Sequence, residues 1–389
     1  MLEMLKKIFS RRNSYPMTRR EFILACLGLL AAAAAGGVYR YLHLPQFGEL
    51  PTGDRLRRMQ ASPHYHGDHF ENLVPVPVMS QKEGERENRF TATWKFLFGD
   101  KKGLWPDGSL PSEKTNLKAL PRQQDAVVWL GHSSFYVQQG GYRILIDPVF
   151  SSFASPLWFV NKAFPGSNVY TADDFPDIDV LAISHDHWDH LDYPTVKALL
   201  PKVRQVVCPL GVGAYLEQWG FAPKIIHEED WDTEIRLADT LTVHILPSQH
   251  FSGRFLKQNP TLWCGMAFLT PERSLYYTGD GGYGSHFKAI GKKFGGFDCV
   301  LAENGQYNLA WHAIHMLPEE TARAAEDVGA KLVIPAHNSK FALARHPWQE
   351  PMEKLRQASR GKAYRLLTPE IGALVLLDRP SDSGEWWKG

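Results

Sequence analysis

Ile183-Ser184-His185-Asp186-His187-Trp188-Asp189-His190 is the stretch on which the reading of this chain turns. Four groups able to bind a metal, His185, His187, Asp189 and His190, fall within six residues, directly after the apolar run Asp179-Val180-Leu181-Ala182-Ile183-Ser184. A strand end fixes the backbone, and the turn that follows lets several side chains converge on one point. Imidazole and carboxylate suit zinc, and the same donors accept iron or manganese. The competing reading is an exposed polar turn with chance histidines. It accounts poorly for the buried-type strand before the run and the short helix expected over Tyr193 to Leu200.

Working outward, strands are expected at Val127 to Leu130, Phe135 to Val137 and Tyr142 to Ile146, the last two joined by the hairpin pair Gly140-Gly141. After the histidine run come strands at Val203 to Cys208, Leu241 to Leu246, Gly265 to Leu269, Ser274 to Tyr277 and Cys299 to Ala302. Helices are expected over Val212 to Trp219 and from Pro318 to Val328, where proline takes a favoured first-turn position. Lys331 to Pro335 reads as the last core strand. Hairpins first and strand–helix alternation later argue for an α+β fold of two sheets with helices outside, not a doubly wound sheet.

His185, His187, Asp189 and His190 resemble the signature of the metallo-β-lactamase superfamily. The resemblance implies an αββα sandwich with two metals at one edge, between the sheets. It also implies three further ligands at strand ends, matched in order by His250 in Pro247-Ser248-Gln249-His250, Asp280 in Tyr277-Thr278-Gly279-Asp280 and His337 in Pro335-Ala336-His337. By that resemblance His185, His187 and His250 hold one zinc ion, Asp189, His190 and His337 hold the other, and Asp280 bridges them. Gly131-His132-Ser133-Ser134-Phe135 and Ile144-Leu145-Ile146-Asp147-Pro148 are similar to the branch that includes N-acyl-phosphatidylethanolamine-hydrolysing phospholipase D and ascorbate-6-phosphate lactonase. Phe70-Glu71-Asn72 and Ile314-His315-Met316-Leu317-Pro318 lie closer to the phospholipase. Ala302-Glu303-Asn304-Gly305 departs from it, since the phospholipase is mostly apolar there.

The chemistry implied is hydrolysis by a metal-bridging hydroxide. Asp189 would both ligate and orient the nucleophile, and His315 would stand on the substrate side as a catalytic group. Asp147 is either an outer partner that holds a ligand histidine or a turn-forming Asp-Pro, and His132 either faces the site or merely opens a strand. The histidines His64, His66 and His69 sit in an irregular stretch that makes a poor scaffold for a site. A phosphodiesterase acting on an N-acylated phospholipid is the first expectation. A lactonase or other ester hydrolase is the second, and a metal-bound sensor or binding protein the third.

The remaining sequence bounds these readings. The chain has 389 residues, 44% hydrophobic and 22% charged, with a formal net charge of +1, so no broad basic field points to nucleic acid. Four cysteines, Cys26, Cys208, Cys264 and Cys299, include no C-x-x-C pair, which leaves buried, inert thiols as the reading. Residues 1–40 combine Lys6, Lys7, Arg11 and Arg12 with Arg19-Arg20 and an uncharged run from Phe22 to Tyr39. That build resembles a twin-arginine export signal or, if retained, a membrane anchor, and so implies membrane association and a periplasmic location. Residues 41–120 read as an irregular arm packed on the main domain, with a helix at Phe90 to Phe98. Residues 121–389 read as the hydrolase domain. The partner expected is a lipid or small-molecule substrate, and oligomeric state is left open.

Overall fold

The computed structural model describes residues 18–78, 102–254 and 257–388. The helix expected at Phe90 to Phe98, and Lys6, Lys7, Arg11 and Arg12, lie outside the described residues. The chain divides after Phe47 into two units. The first carries helix α1 (Arg19–Leu42), opened by a capping box in which the Thr18 hydroxyl accepts from the Glu21 backbone and Glu21 accepts from the Thr18 N–H. None of its residues is buried, and at 24 residues it is long and apolar enough to cross a membrane.

In the second unit, helix α2 (Gly53–Gln60) and the hairpin β1 (Tyr65–His66) and β2 (His69–Phe70) precede two seven-stranded sheets. The first sheet runs β3 (Ala126–Trp129), β4 (Phe135–Gln139), β5 (Tyr142–Ile146), β6 (Ile178–Ala182), β7 (Val203–Pro209) and β8 (Ile226–Glu229). The second runs β9 (Glu234–Ala238), β10 (Leu241–Leu246), β11 (Gly265–Leu269), β12 (Ser274–Tyr277), β13 (Phe297–Glu303), β14 (Ala330–Ala336) and β15 (Arg365–Leu366). A last strand, β16 (Leu374–Leu376), returns to pair outside β3. Read across from β16 and from β9, both sheets make three antiparallel pairings and then three parallel ones.

The period of two along each strand explains the layers. On the inner faces Val127, Trp129, Ile146, Val180 and Ala182 meet Ile245, Met266, Tyr277, Leu301 and Ile334. On the outer faces Val128, Leu145 and Leu181 pack under α3 (Tyr193–Leu199) and α4 (Gly213–Gln218). Tyr276, Val300 and Val333 pack under α5 (His286–Phe294) and α6 (Pro318–Asp327). Strand β6 is buried on both faces, which is why Ile178–Ala182 carries almost no polar alternation. A further helix, α7 (Glu350–Ala358), adds Met352 to the inner core. The fold is the αββα sandwich that the sequence resemblance implied.

One expectation is corrected. Lys331 to Pro335 is not the last core strand, because β15 and β16 follow it. Each has two or three residues, too few to show a period, and β16 is placed by the Gly372 turn, whose N–H donates to Trp129 O at 2.7 Å. The arm residues described hold to the sheets through named contacts. Arg55 Nε reaches Glu228 Oε2 at 2.6 Å, Phe70 N reaches Asn259 O at 3.0 Å, and Leu110 N reaches Pro165 O at 2.8 Å.

Gly279 carries the turn from β12 into Asp280 at φ +62°, and a Cβ there would lie 2.2 Å from Cys264 O. Gly295 ends α5 at φ +73° with open space around it. Gly295→Ala is therefore expected to cost about 1 kcal/mol, the left-handed penalty alone, and Gly279→Ala more than about 2 kcal/mol. Urea denaturation of the two variants would measure the difference, and equal costs would refute the packing argument.

Candidate metal centre

The histidine run leaves β6 in a turn fastened from both sides. His190 N and Leu191 N donate back to His187 O at 3.1 and 2.8 Å. The residues between the candidate ligands do the fastening. Buried Asp186 accepts from Gly253 N at 2.7 Å and from Tyr215 Oη at 3.1 Å, and its carbonyl accepts from Arg254 Nη1 at 2.7 Å. Trp188 donates to Arg254 O at 2.9 Å while the Arg254 guanidinium lies over its ring at 3.9 Å. Asp186 and Trp188 thus anchor the turn, and His185, His187, Asp189 and His190 are left to converge.

The other candidates arrive from three more strand ends. His250 follows β10, its backbone clasped by the Asn72 side chain, which accepts from His250 N at 3.0 Å and donates to His250 O at 2.8 Å. Its Nδ1 donates to Ile314 O at 3.1 Å, which leaves Nε2 as the ligand atom. Asp280 follows β12 and His337 follows β14. His337 and His132 hold each other across the two sheets, His337 N donating to His132 O and His132 N to Asn338 O, both at 3.1 Å. Both residues have positive φ, 64° and 54°, and so does Asp147 at 40°. Left-handed backbone outside glycine costs free energy and gathers where surrounding contacts over-determine it.

The candidates come together. His185, His187 and His250 form one group of potential ligands, His132, Asp189, His190 and His337 a second, and His185, His190 and Asp280 a third that joins them, the atoms of each group within 4.8 Å of one another. Asp280 Oδ2 stands 3.0 Å from His190 Nε2 and 4.0 Å from His185 Nε2, and its Oδ1 3.2 Å from His337 Nδ1. Around them sit the two residues for which the sequence left alternatives open. Asp147 Oδ2 accepts from His190 Nδ1 at 2.8 Å, and His132 Nε2 lies 2.8 Å from Asp189 Oδ2. His64 takes no part and pairs with Asp230 at 2.9 Å.

These residues fit a pair of cations. Buried His190 Nε2, His337 Nε2 and Asp280 Oδ1 have no hydrogen-bond partner among the described residues, an expensive arrangement in a dry site unless something else satisfies them. Burial, then neighbouring histidines, hold His185, His250 and His337 well below the ordinary imidazole range, so each is in the neutral, ligating form. Burial works against charge on His190, but Asp280, Asp189 and Asp147 carry its pKa well above that range. Burial likewise pushes the Asp280 carboxyl up to about 6 against the pull of His190.

His315 stands beside these groups, its ring stacked 5.0 Å from that of His337. Its Nδ1 lies 3.0 Å from Oε1 of the fully buried Glu303, whose Oε2 accepts from Met316 N at 3.0 Å. Burial drives both toward their neutral forms, Glu303 upward and His315 down to about 3. Sequence reasoning marked Glu303 only as a departure from the phospholipase. The available signal was its place at the end of an apolar strand, where the resemblance also put Asp280 and His337. Asn72 was noticed as part of the arm but not as the clasp on His250. Phe70 of the arm is buried in the core against Tyr65, because the hairpin turns it inward, and does not line a groove. The groove wall from the arm is Val78. With Phe251, Trp311, Ile314 and Leu343 it encloses a cleft of about 280 Å³ that has His187, Asp189, Asp280, His315 and His337 at its base.

Comparison with known proteins agrees with this geometry. A β-lactamase superfamily domain matches residues 142–338. An uncharacterized protein of Mycobacterium tuberculosis is 37% identical over 377 residues, 96% of this chain and 100% of that one. N-acyl-phosphatidylethanolamine-hydrolyzing phospholipase D 1 of Caenorhabditis elegans is 30% identical over 276 residues, 67% of this chain and 77% of that one. A metallo hydrolase structure from Ignicoccus hospitalis superposes with a TM-score of 0.50 at 20% identity, covering 65% of this chain and 97% of that one. The chain belongs to the metallo-β-lactamase superfamily and is a hydrolase of that fold, in the branch that resembles the N-acyl-phosphatidylethanolamine-hydrolysing phospholipases.

If Asp147 orients His190 as a ligand, Asp147→Asn should weaken metal binding about 10–100-fold, the usual effect of losing an outer partner. Elemental analysis of the unmodified chain should give two metal ions per molecule. Chelator competition on both proteins is the measurement, and unchanged retention in the variant would remove Asp147 from the centre.

Proposed function

We propose that this chain is a zinc-dependent phosphodiesterase of the phospholipase D type, acting on N-acylated phosphatidylethanolamine or a related lipid at the periplasmic face of a membrane. The observation that carries the reading is the cleft, which combines a base of imidazoles and carboxylates with walls of Val78, Phe251, Trp311, Ile314 and Leu343. A phosphodiester head needs the first and acyl chains need the second.

His185, His187 and His250 would hold one ion, Asp189, His190 and His337 the other, with Asp280 between them. When bound, the ions supply an activated hydroxide and draw charge from the phosphoryl oxygens. The chain's own residues do the rest. Asp189, fixed by His132, orients the attacking water through its carboxylate. His315, with Nδ1 taken by Glu303, has its Nε2–H left for the cleft, where it hydrogen-bonds the alkoxide that departs when the phosphorus–oxygen bond breaks, and the alkoxide takes up the proton released from the attacking water. The resemblance of the C. elegans phospholipase supports the substrate class. Helix α1 with Arg19-Arg20 ahead of its apolar run supports export by the twin-arginine route or retention as an anchor.

His315→Ala should keep both metals and lose phosphodiester turnover by about 10²–10⁴-fold, the range for general acid–base help. The assay is hydrolysis of N-acylated phosphatidylethanolamine in micelles beside a panel of soluble lactones. Ready opening of the lactones with no phospholipid turnover would leave a lactonase. Replacing Arg19 and Arg20 together with lysine should hold the protein in the cytoplasm on cell fractionation, and unchanged fractionation would leave only the anchor.

A further inference from the structure

Large apolar side chains exposed to water in the second unit are few, and they are not scattered. Among the described residues from Gly48 onward there are eight, and six of them fall in three short segments: Leu73 and Val74, Leu157, Trp158 and Phe159, and Leu309. Trp158 is 78% exposed and Phe159 63%, their rings edge to face 5.4 Å apart. Exposed aromatic and aliphatic groups gathered in this way mark an interaction surface.

None of the six lines the cleft, but each segment adjoins one of its wall residues. Leu73 and Val74 follow Asn72, the clasp on His250, and lead into the wall residue Val78. Leu309 lies in a turn closed by Trp311 N to Asn308 O at 2.9 Å and Ile314 N to Trp311 O at 3.0 Å, and Trp311 and Ile314 are wall residues. Trp158 and Phe159 cap a protruding loop whose base is tied by Ala154 N to Asn161 O at 3.0 Å and Ala163 N to Ser152 O at 2.9 Å. That base packs through Ala154 and Ala163 on Phe341 and on the wall residue Leu343. The loop is therefore held out by its base rather than folded onto the protein.

Charge selects the partner. The chain has 42 Asp and Glu, yet residues 72–78, 148–164, 305–316 and 338–346 contain none of them. The protruding loop instead carries the exposed cation Lys162. A surface of Trp, Phe and Leu with a lysine and, in these described stretches, no carboxylates matches the interfacial zone of an anionic bilayer, where indole sits at head-group level.

We infer that the rim of the cleft is a membrane-docking surface, with Leu157, Trp158 and Phe159 inserting into the lipid interface so that a phospholipid passes from the bilayer into the cleft. The inference rests on the lipid-substrate reading above and adds the surface by which the catalytic unit meets its substrate, separate from helix α1.

The full chain, with Cys26→Ala, is reconstituted into vesicles of phosphatidylcholine and phosphatidylglycerol. An environment-sensitive fluorophore is placed at Trp158→Cys or, as control, at exposed Lys224→Cys; the three remaining cysteines are buried. Nitroxide-labelled head groups should quench the first label and spare the second. In parallel, the double variant Trp158→Ser with Phe159→Ser should hydrolyse vesicle-borne N-acylated phosphatidylethanolamine about tenfold more slowly, from lost apolar insertion, while its hydrolysis of a soluble phosphodiester chromogen is unchanged. Equal quenching at both sites, or none at 158, overturns the docking surface. So does a spectral shift at 158 that follows protein concentration rather than lipid, which would mark a contact between copies. If the chain hydrolyses neither phosphodiester, the proposed activity fails, and the quenching still decides whether the rim meets the bilayer.

Discussion

A carboxylate sealed from water must have its charge answered by donors, and Asp147 is answered from both sheets. It lies at the end of β5 and accepts from Ser184 N at 2.8 Å and His190 Nδ1 at 2.8 Å, both just past β6, and from Tyr277 Oη at 2.7 Å, at the end of β12 in the other sheet. One buried group thereby sets the angle of the histidine turn and the distance between the sheets at the edge where the site forms. Removing any donor would leave charge uncompensated in a dry interior, a cost far above that of an ordinary surface bond. The backbone clasp of His132 with His337 and Asn338 repeats this tie a short distance away.

The two sheets share one order of pairings, and the site draws on corresponding places in both. The turn after β5 supplies Asp147 and the turn after β12 supplies Asp280. The end of β6 supplies the histidine run and the end of β13 supplies Glu303. The same geometry therefore serves different ends. In the first half it yields the dense cluster of imidazoles, and in the second the Asp280 carboxylate beside His190 and His337 and a carboxylate that holds His315. Active groups at strand ends are positioned by the most rigid backbone in the molecule while their side chains remain at the edge.

Much of this was legible in the sequence, for reasons that differ by residue. The strands β5, β10, β11 and β12 match the ranges read from apolar runs and turns, because they are long enough to show a period or are bounded by glycine. His250, Asp280 and His337 were singled out because the family resemblance implies ligands at strand ends, and each follows an apolar strand. Strands β8, β9, β15 and β16 were missed. Ile226–Glu229 and Glu234–Ala238 are polar edge strands, and β15 and β16 are too short for any pattern. The clasp of Asn72 on His250 joins residues 178 apart, and Glu303 beside His315 depends on how a loop returns to a strand end. Periodicity is a local signal and carries no information about such meetings.

The return of β16 to the edge of β3 has a consequence for how the protein is made. Of the sandwich strands it is made after all the others, yet it pairs with the first of them, which until then presents Ala126 to Val128 on an open edge. A chain cut short before Leu374 would carry every histidine and aspartate of the centre and still expose that edge to other chains. Closure of the first sheet thus waits for β16, and this short strand acts as a seal that distinguishes a closed sandwich from an open one.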